Sequence, residues 1–452
     1  MRRNYKKRIA IMLVICIFAA MLTFPEGSVR AAQIDEESSK QIVLLIDASK
    51  SMGSGGRWMS LVDSVLLINT MLPENYVTAL LIYNTEVQYS AGFGELSSDT
   101  RTRMAGMELQ GYTNPAAALE QAMKLFDTNA DEKRVVFISD GEISMPQEEQ
   151  TQEAVNLYGE TVDEAAKQGI MIDMLIIPDD ETENQILSGA EKTAGVIYEN
   201  KEGQNLEETV IKYLFETLCL ERIELGVSDT DSGSITADLQ DIHMKNAKIL
   251  LTAEQNIEKV HISGQCGRFE IMEGDRCAVA TLYNPLETQV GLDYELTDKG
   301  KVHAYLIKEY EFEWNVTDSY TSETGNFEIE VEVTDHQGRR ILDAENLAGT
   351  IGFSVDGGEE EFTINDGKAV ISYLTSLTQN VSIMADFSRV NGIVHSSLQE
   401  KAILLNVPVV EEKPDYTILW IVFGTLGIVI IILIVWCEQK RKKKKKRLPG
   451  RR

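Results

Sequence analysis

Residues 41–56 read QIVLLIDASKSMGSGG: an apolar run, then an aspartate, alternating hydroxyls and a glycine-rich turn. The unbroken run Ile42 to Ile46 fits a strand buried on both faces, as a parallel sheet requires. A stretch of helical periodicity, Trp58 to Asn69, follows it. The alternation then repeats. Val77 to Tyr83, Val135 to Ile138, Ile170 to Ile176 and Val196 to Tyr198 read as further buried strands. Pro115 to Phe126, Gln152 to Lys167, Glu183 to Thr193 and Asn205 to Leu218 read as helices between and after them. From Gln41 to about Leu218 this pattern predicts an α/β fold with a doubly wound, mostly parallel sheet.

In such a sheet, ligands bind at the carboxyl ends of the strands near the switch point. Asp47, Ser49 and Ser51 directly follow the first strand, and alternate residues of an extended loop face one side. Two further loops reach the same edge. Thr113 stands before a helix in Gly111-Tyr112-Thr113-Asn114-Pro115, and Asp140 ends a strand in Ile138-Ser139-Asp140-Gly141. Carboxylates and hydroxyls are hard oxygen donors that suit a small hard cation and not a soft metal. Any one of these motifs alone is an ordinary turn. Three of them at three strand ends of one sheet predict a metal site.

Asp-x-Ser-x-Ser after the first strand, Gly-x-Thr-Asn before a helix and Ser-Asp-Gly at a strand end together resemble the von Willebrand factor type A (VWA) domain with its metal-ion-dependent adhesion site. The resemblance covers about residues 36–220. It implies Mg²⁺ or Mn²⁺ as cofactor, Ser49, Ser51 and Thr113 as direct ligands, and Asp47 and Asp140 as holders of the water shell. It also implies a protein partner that offers a Glu or Asp carboxylate to the cation. No catalytic residue is assigned. All five histidines, from His243 to His395, follow this domain, so it holds no Ser-His or Cys-His pair and no zinc motif.

After Cys219 the texture changes to period-two runs broken by Gly, Asp and Asn, such as Lys248 to Thr252 and Phe327 to Val333. These predict all-β sandwich modules, of immunoglobulin-like texture, over 223–312 and 313–409 with a join near Glu313. Cys266 and Cys277 flank a turn at Glu273-Gly274-Asp275, which makes a hairpin-closing disulfide plausible. The helix Asn205 to Leu218 is the only covalent route from the metal loops to these modules.

The chain ends place the whole. Five basic residues precede the apolar run Ile9 to Phe24, and Val29 and Ala31 suit a signal peptidase, so 1–31 reads as an export signal. Residues 410–417 read as a stalk. Ile418 to Trp436 carries no charge, and as a helix it spans roughly 28 Å, enough to cross a bilayer. The tail 437–452 holds an unbroken basic block, Lys440 to Arg447, as a cytoplasmic flank does. Residues 32–415 carry 27 basic and 69 acidic residues, a net charge of −42, which repels nucleic acid. The expectation is a single-pass cell-membrane protein with its bulk outside, serving as a binding or adhesion receptor. The alternative is an envelope assembly factor that uses the same site to hold a neighbouring subunit.

Overall fold

The computed structural model describes residues 40–407 apart from 54–55, 98, 178–184, 201–205, 242, 265, 286–287, 322–323, 342–346, 355–357, 376, 389 and 397–399. Scattered positions between 421 and 440 are also described. The first domain is a six-stranded sheet built from β1 (Lys40–Asp47), β2 (Tyr76–Tyr83), β3 (Val87–Ala91), β4 (Glu132–Ser139), β5 (Met171–Ile176) and β6 (Ile197–Glu199). Its order is β3-β2-β1-β4-β5-β6, all parallel except the antiparallel edge strand β3. Burial on both faces explains the apolar run of β1. Ile42, Leu44 and Ile46 pack under α1 (Arg57–Met71) and α6 (Leu206–Glu216). Val43 and Leu45 pack under α3 (Pro115–Met123), α4 (Glu148–Lys167) and α5 (Ser188–Thr193). The chain leaves β1 for β2 on one side and later returns to β4 on the other, so the switch point lies at β1.

Two elements were not foreseen. β3 is a half-exposed edge strand, and α2 (Asp99–Ala105) is a seven-residue helix that buries only Thr100 and Met104. α2 carries too few apolar residues to show a period, and the alternation of β3, Val87-Gln88-Tyr89-Ser90-Ala91, is only five residues long.

The remainder is all β, but it does not divide at Glu313. That residue lies inside β12 (Gln289–Thr321), a single 33-residue strand. β12 pairs with β7 (Ile223–Asp238), β8 (Met244–Ala253) and β9 (Ile257–Ser263) in its earlier part, and with β13 (Asn326–Asp335) and β18 (Ile393–Ser396) in its later part, and β13 continues to β16 (Lys368–Leu374). A nine-stranded sheet results. A four-stranded sheet, β15-β14-β17-β19, spans Ala348–Phe353 (β14), Glu359–Thr363 (β15), Gln379–Asp386 (β17) and Glu400–Leu405 (β19). One apolar cluster joins residues on both sides of the expected join, Leu292 and Val302 with Val331, Ile351 and Ile383 among them.

The expected disulfide is absent: Cys266 and Cys277 are not joined. The hairpin between β10 (Arg268–Glu273) and β11 (Cys277–Tyr283) does form, with Gly274 N–H donating to the Cys277 carbonyl at 2.8 Å. Strand alternation decides the thiols. Cys277 and Val279 face the first domain, whereas Cys266 packs with Ala278, Ala280 and Leu282 on the opposite side of the sheet.

The first domain is fused to the nine-stranded sheet. Leu250, Cys277, Val279 and Ile307 belong to the same apolar cluster as α1 and α6. The buried Lys248 ammonium donates to the Leu72 carbonyl at 2.8 Å and the Met71 carbonyl at 3.3 Å, and lies 2.7 Å from the buried Glu309 carboxylate. It thereby satisfies carbonyls at the C-terminal end of α1, which no intrahelical donor reaches. Asp63 of α1 accepts from the Asp275 N–H at 2.7 Å and from Arg101. Phe215 of α6 packs edge-on against Tyr305, with Arg222 4.0 Å over its ring.

Among the described residues no helix is long and apolar enough to cross a membrane. The expected span 418–436 is described only at scattered positions. The expected signal 1–31, the stalk 410–417 and nearly all of the tail 437–452 lie outside the described residues.

Candidate metal centre

β1 delivers Asp47 to the carboxyl edge, where a tight turn, Lys50–Gly53, starts the approach to α1. Asp47 is fully buried and shapes that turn. Its Oδ1 accepts from the Ser49 N–H at 2.8 Å, and its Oδ2 accepts from Ser139 Oγ at 2.9 Å. Ser49 Oγ lies 3.0 Å from Ser51 Oγ, so the two hydroxyls converge as the spacing predicts. Asp140, the next residue after β4, is also fully buried. Its Oδ1 accepts from the Glu142 N–H at 3.3 Å, while its Oδ2 has no hydrogen-bond partner.

Thr113 is buried and stitched to the Asp140 loop, with N–H to carbonyl bonds of 3.1 and 3.0 Å exchanged with Ser144. The loop before it hangs from the β2–β3 turn. Asn84 donates to the Gln110 carbonyl at 2.8 Å, and the Tyr112 N–H donates to Thr85 Oγ1 at 3.0 Å. Gly111 is required here: its φ is +82°, and an added Cβ would stand 3.0 Å from Thr85 Oγ1. Pro115 then opens α3 at a position where its missing N–H costs nothing.

Ser139 is the contributor that motif reading passed over. It stands directly before Asp140 in Ser-Asp-Gly and reads only as a turn former, yet in the fold it bridges β4 to Asp47 and accepts from the Gly141 N–H at 3.1 Å. The signal was its place at a strand end beside the first strand, visible only once the two are known to be adjacent.

The donor set fits a small hard cation. Two carboxylates are buried at one sheet edge, one of them with an unpaired oxygen, and hydroxyls surround them. Among the described residues no group of three or more His, Cys, Asp or Glu converges. Burial first, and then the Asp140 charge, push the Asp47 carboxyl up to about 7. The unfolded chain holds that proton only below the ordinary value of 3.8. The metal-free protein therefore loses stability as pH rises from about 4 to about 7. A cation needs Asp47 ionised, so Mg²⁺ uptake at pH 6 should release a proton and weaken by up to tenfold per pH unit below about 7. Calorimetry at pH 6 in two buffers of different ionisation heat measures the release. Equal apparent heats in both buffers would contradict it.

Residues 42–142 match the family model of the von Willebrand factor type A domain. Among solved structures, the chain is similar to an aerotolerance-related membrane protein from Bacteroides fragilis, at 12% identity and TM-score 0.30, covering 38% of this chain and 96% of that one. It is also similar to a von Willebrand factor type A protein from Catenulispora acidiphila, at 14% identity and TM-score 0.33, covering 75% of this chain and 66% of that one. The ArnB paralog VWA2 from Sulfolobus acidocaldarius shares 13% identity at TM-score 0.29, covering 74% and 66%. No curated protein matches the chain. The first domain thus has a VWA-like α/β fold with a mostly parallel sheet, joined to additional all-β sheets.

Proposed function

We propose that this protein is a cell-surface binding or adhesion protein that captures an acidic side chain of a protein partner at the Asp47 edge. VWA domains serve protein–protein interaction or adhesion in general. The observation that carries the specific reading is the pair of buried carboxylates, Asp47 and Asp140, among hydroxyls at the carboxyl edge of the sheet, with Asp140 Oδ2 unpaired. Ser49, Ser51 and Thr113 would supply neutral oxygens, and Asp47 and Asp140 would hold the water shell. Mg²⁺ or Mn²⁺ bound there supplies an electrophilic position for a carboxylate. Neutral direct donors leave more of the cation's charge for the partner, so the domain binds without needing a catalytic group. Export, a single C-terminal span and a basic cytoplasmic tail remain the reading of the two chain ends.

The test is a cross-linking pull-down with the full-length protein in detergent, with and without chelator. Capture should vanish with chelator and in Thr113→Ala, return with Mn²⁺, and be competed by a glutamate-containing peptide. Capture indifferent to chelator and to the Thr113 change would reject the reading. Partners recovered as a constitutive membrane complex, rather than from solution or another cell, would favour the assembly alternative.

A further inference from the structure

Tyr83 ends β2 directly beside Asp47, its register partner in the parallel ladder, and the Ala48 N–H donates to the Tyr83 carbonyl at 2.7 Å. Side chains alternate along a strand, so Tyr83 shares the face of Leu81 on its own strand and of Phe137 on β4. Asp47 shares that face with Val43 and Leu45, and Ser139 with Phe137. Tyr83, Asp47 and Ser139 therefore stand in a row across three neighbouring strands, at spacings of about 4.8 Å.

The Tyr83 ring is fully buried and packs edge-on against Phe137 with centroids 6.2 Å apart. Its hydroxyl is close enough to Ser139 to interact with it and feels the Asp47 and Asp140 charges, yet it makes no hydrogen bond of normal geometry. A buried hydroxyl without a partner is costly, and phenylalanine would fill the same space without that cost. Asp140 Oδ2, a strong acceptor, is likewise unpaired on the adjacent strand end. A donor and an acceptor, both buried and unpaired around one carboxylate, suit water held between them.

We infer that Tyr83 is a positioning residue of the metal shell, its hydroxyl donating to water held between the cation and the two aspartates. The inference rests on the metal reading above and extends it to a residue outside the five motif positions. Groups that orient a metal's immediate ligands change affinity about 10- to 100-fold when removed.

The experiment compares Tyr83→Phe with wild type by Mg²⁺ and Mn²⁺ calorimetry and by melting without metal, on the full-length protein in detergent. Tyr83→Phe keeps the ring packing and removes one oxygen. Its Mg²⁺ dissociation constant should rise at least about tenfold, while its metal-free melting temperature stays level or rises. Tyr158→Phe is the matched control. That hydroxyl donates to the Ile186 carbonyl at 2.9 Å, so its loss should lower the metal-free melting temperature and leave Mg²⁺ affinity unchanged. Wild-type Mg²⁺ affinity in Tyr83→Phe would overturn the inference and leave the metal site standing. No Mg²⁺ uptake by the wild type itself would overturn both.

Discussion

Mg²⁺ at a hundred times its dissociation constant should raise the melting temperature of the full-length protein by roughly 3–4 °C, and Asp47→Ala should lose that gain. A ligand that binds only the folded state at that concentration adds about 2.7 kcal/mol. Residues 40–407 share a core, and for a cooperative unit of that length, at about 2.1 cal/mol/K of unfolding entropy per residue, each kcal/mol moves the midpoint by about 1.3 °C. The cation would offset the charge of two carboxylates buried at one edge of the sheet. Asp47→Ala removes both the water-shell acceptor and the anchor of the Ser49 and Ser139 bonds. Mn²⁺ should act alike, since oxygen donors do not discriminate strongly between the two ions. Equal responses in wild type and Asp47→Ala, measured by differential scanning calorimetry, would dismiss the site. The measurement needs the whole chain. A fragment ending near residue 220 would expose the α1 and α6 side chains that Leu250, Val279 and Ile307 cover.

That last point marks the limit of what the sequence revealed. The placement of the loops at the carboxyl edge of β1 rests on local signals: an apolar run that must be a buried strand, and hydroxyls and carboxylates at its end. Tyr83 reads only as the last residue of a strand, because its place beside Asp47 depends on which strand lies next to β1. The division of the β region failed for a related reason. Period-two alternation is the same within one long strand and across two collinear ones, so nothing around Glu313 announces that β12 runs on to Thr321. The Cys266–Cys277 pairing failed on facing. The turn between β10 and β11 was correctly placed, but the pleat sends Cys277 toward the first domain and away from Cys266. Lys248 carries no sequence signal at all. It stands in a run, Lys248 to Thr252, that reads as an ordinary strand with a charged end.

Lys248→Met should be the most damaging single substitution outside the metal loops, lowering stability by about 3–5 kcal/mol. The ammonium answers three acceptors at once, the Met71 and Leu72 carbonyls of the first domain and the Glu309 carboxylate of β12. Removing it leaves Glu309 buried with Asn246 Nδ2, 3.1 Å away, in place of a counter-charge. Methionine fills the volume, so the loss reports electrostatics rather than a cavity. Because the pair sits where the two parts share a core, the damage should reach both. Trp58 lies in α1 and Trp314 in β12, so with Trp420 and Trp436 both changed to Phe, added Trp58→Phe and Trp314→Phe backgrounds separate the two signals. Urea midpoints from the two reporters should coincide in wild type and fall together in Lys248→Met. Cys277, fully buried at the junction, should react with a thiol reagent only at that same midpoint. Adding Glu309→Leu should recover most of the loss, since neither charge is then buried alone. A cost below about 1 kcal/mol, or separate midpoints for Trp58 and Trp314, would mean that the domains are merely tethered and that force on the metal edge reaches the β sheets only through the chain after α6.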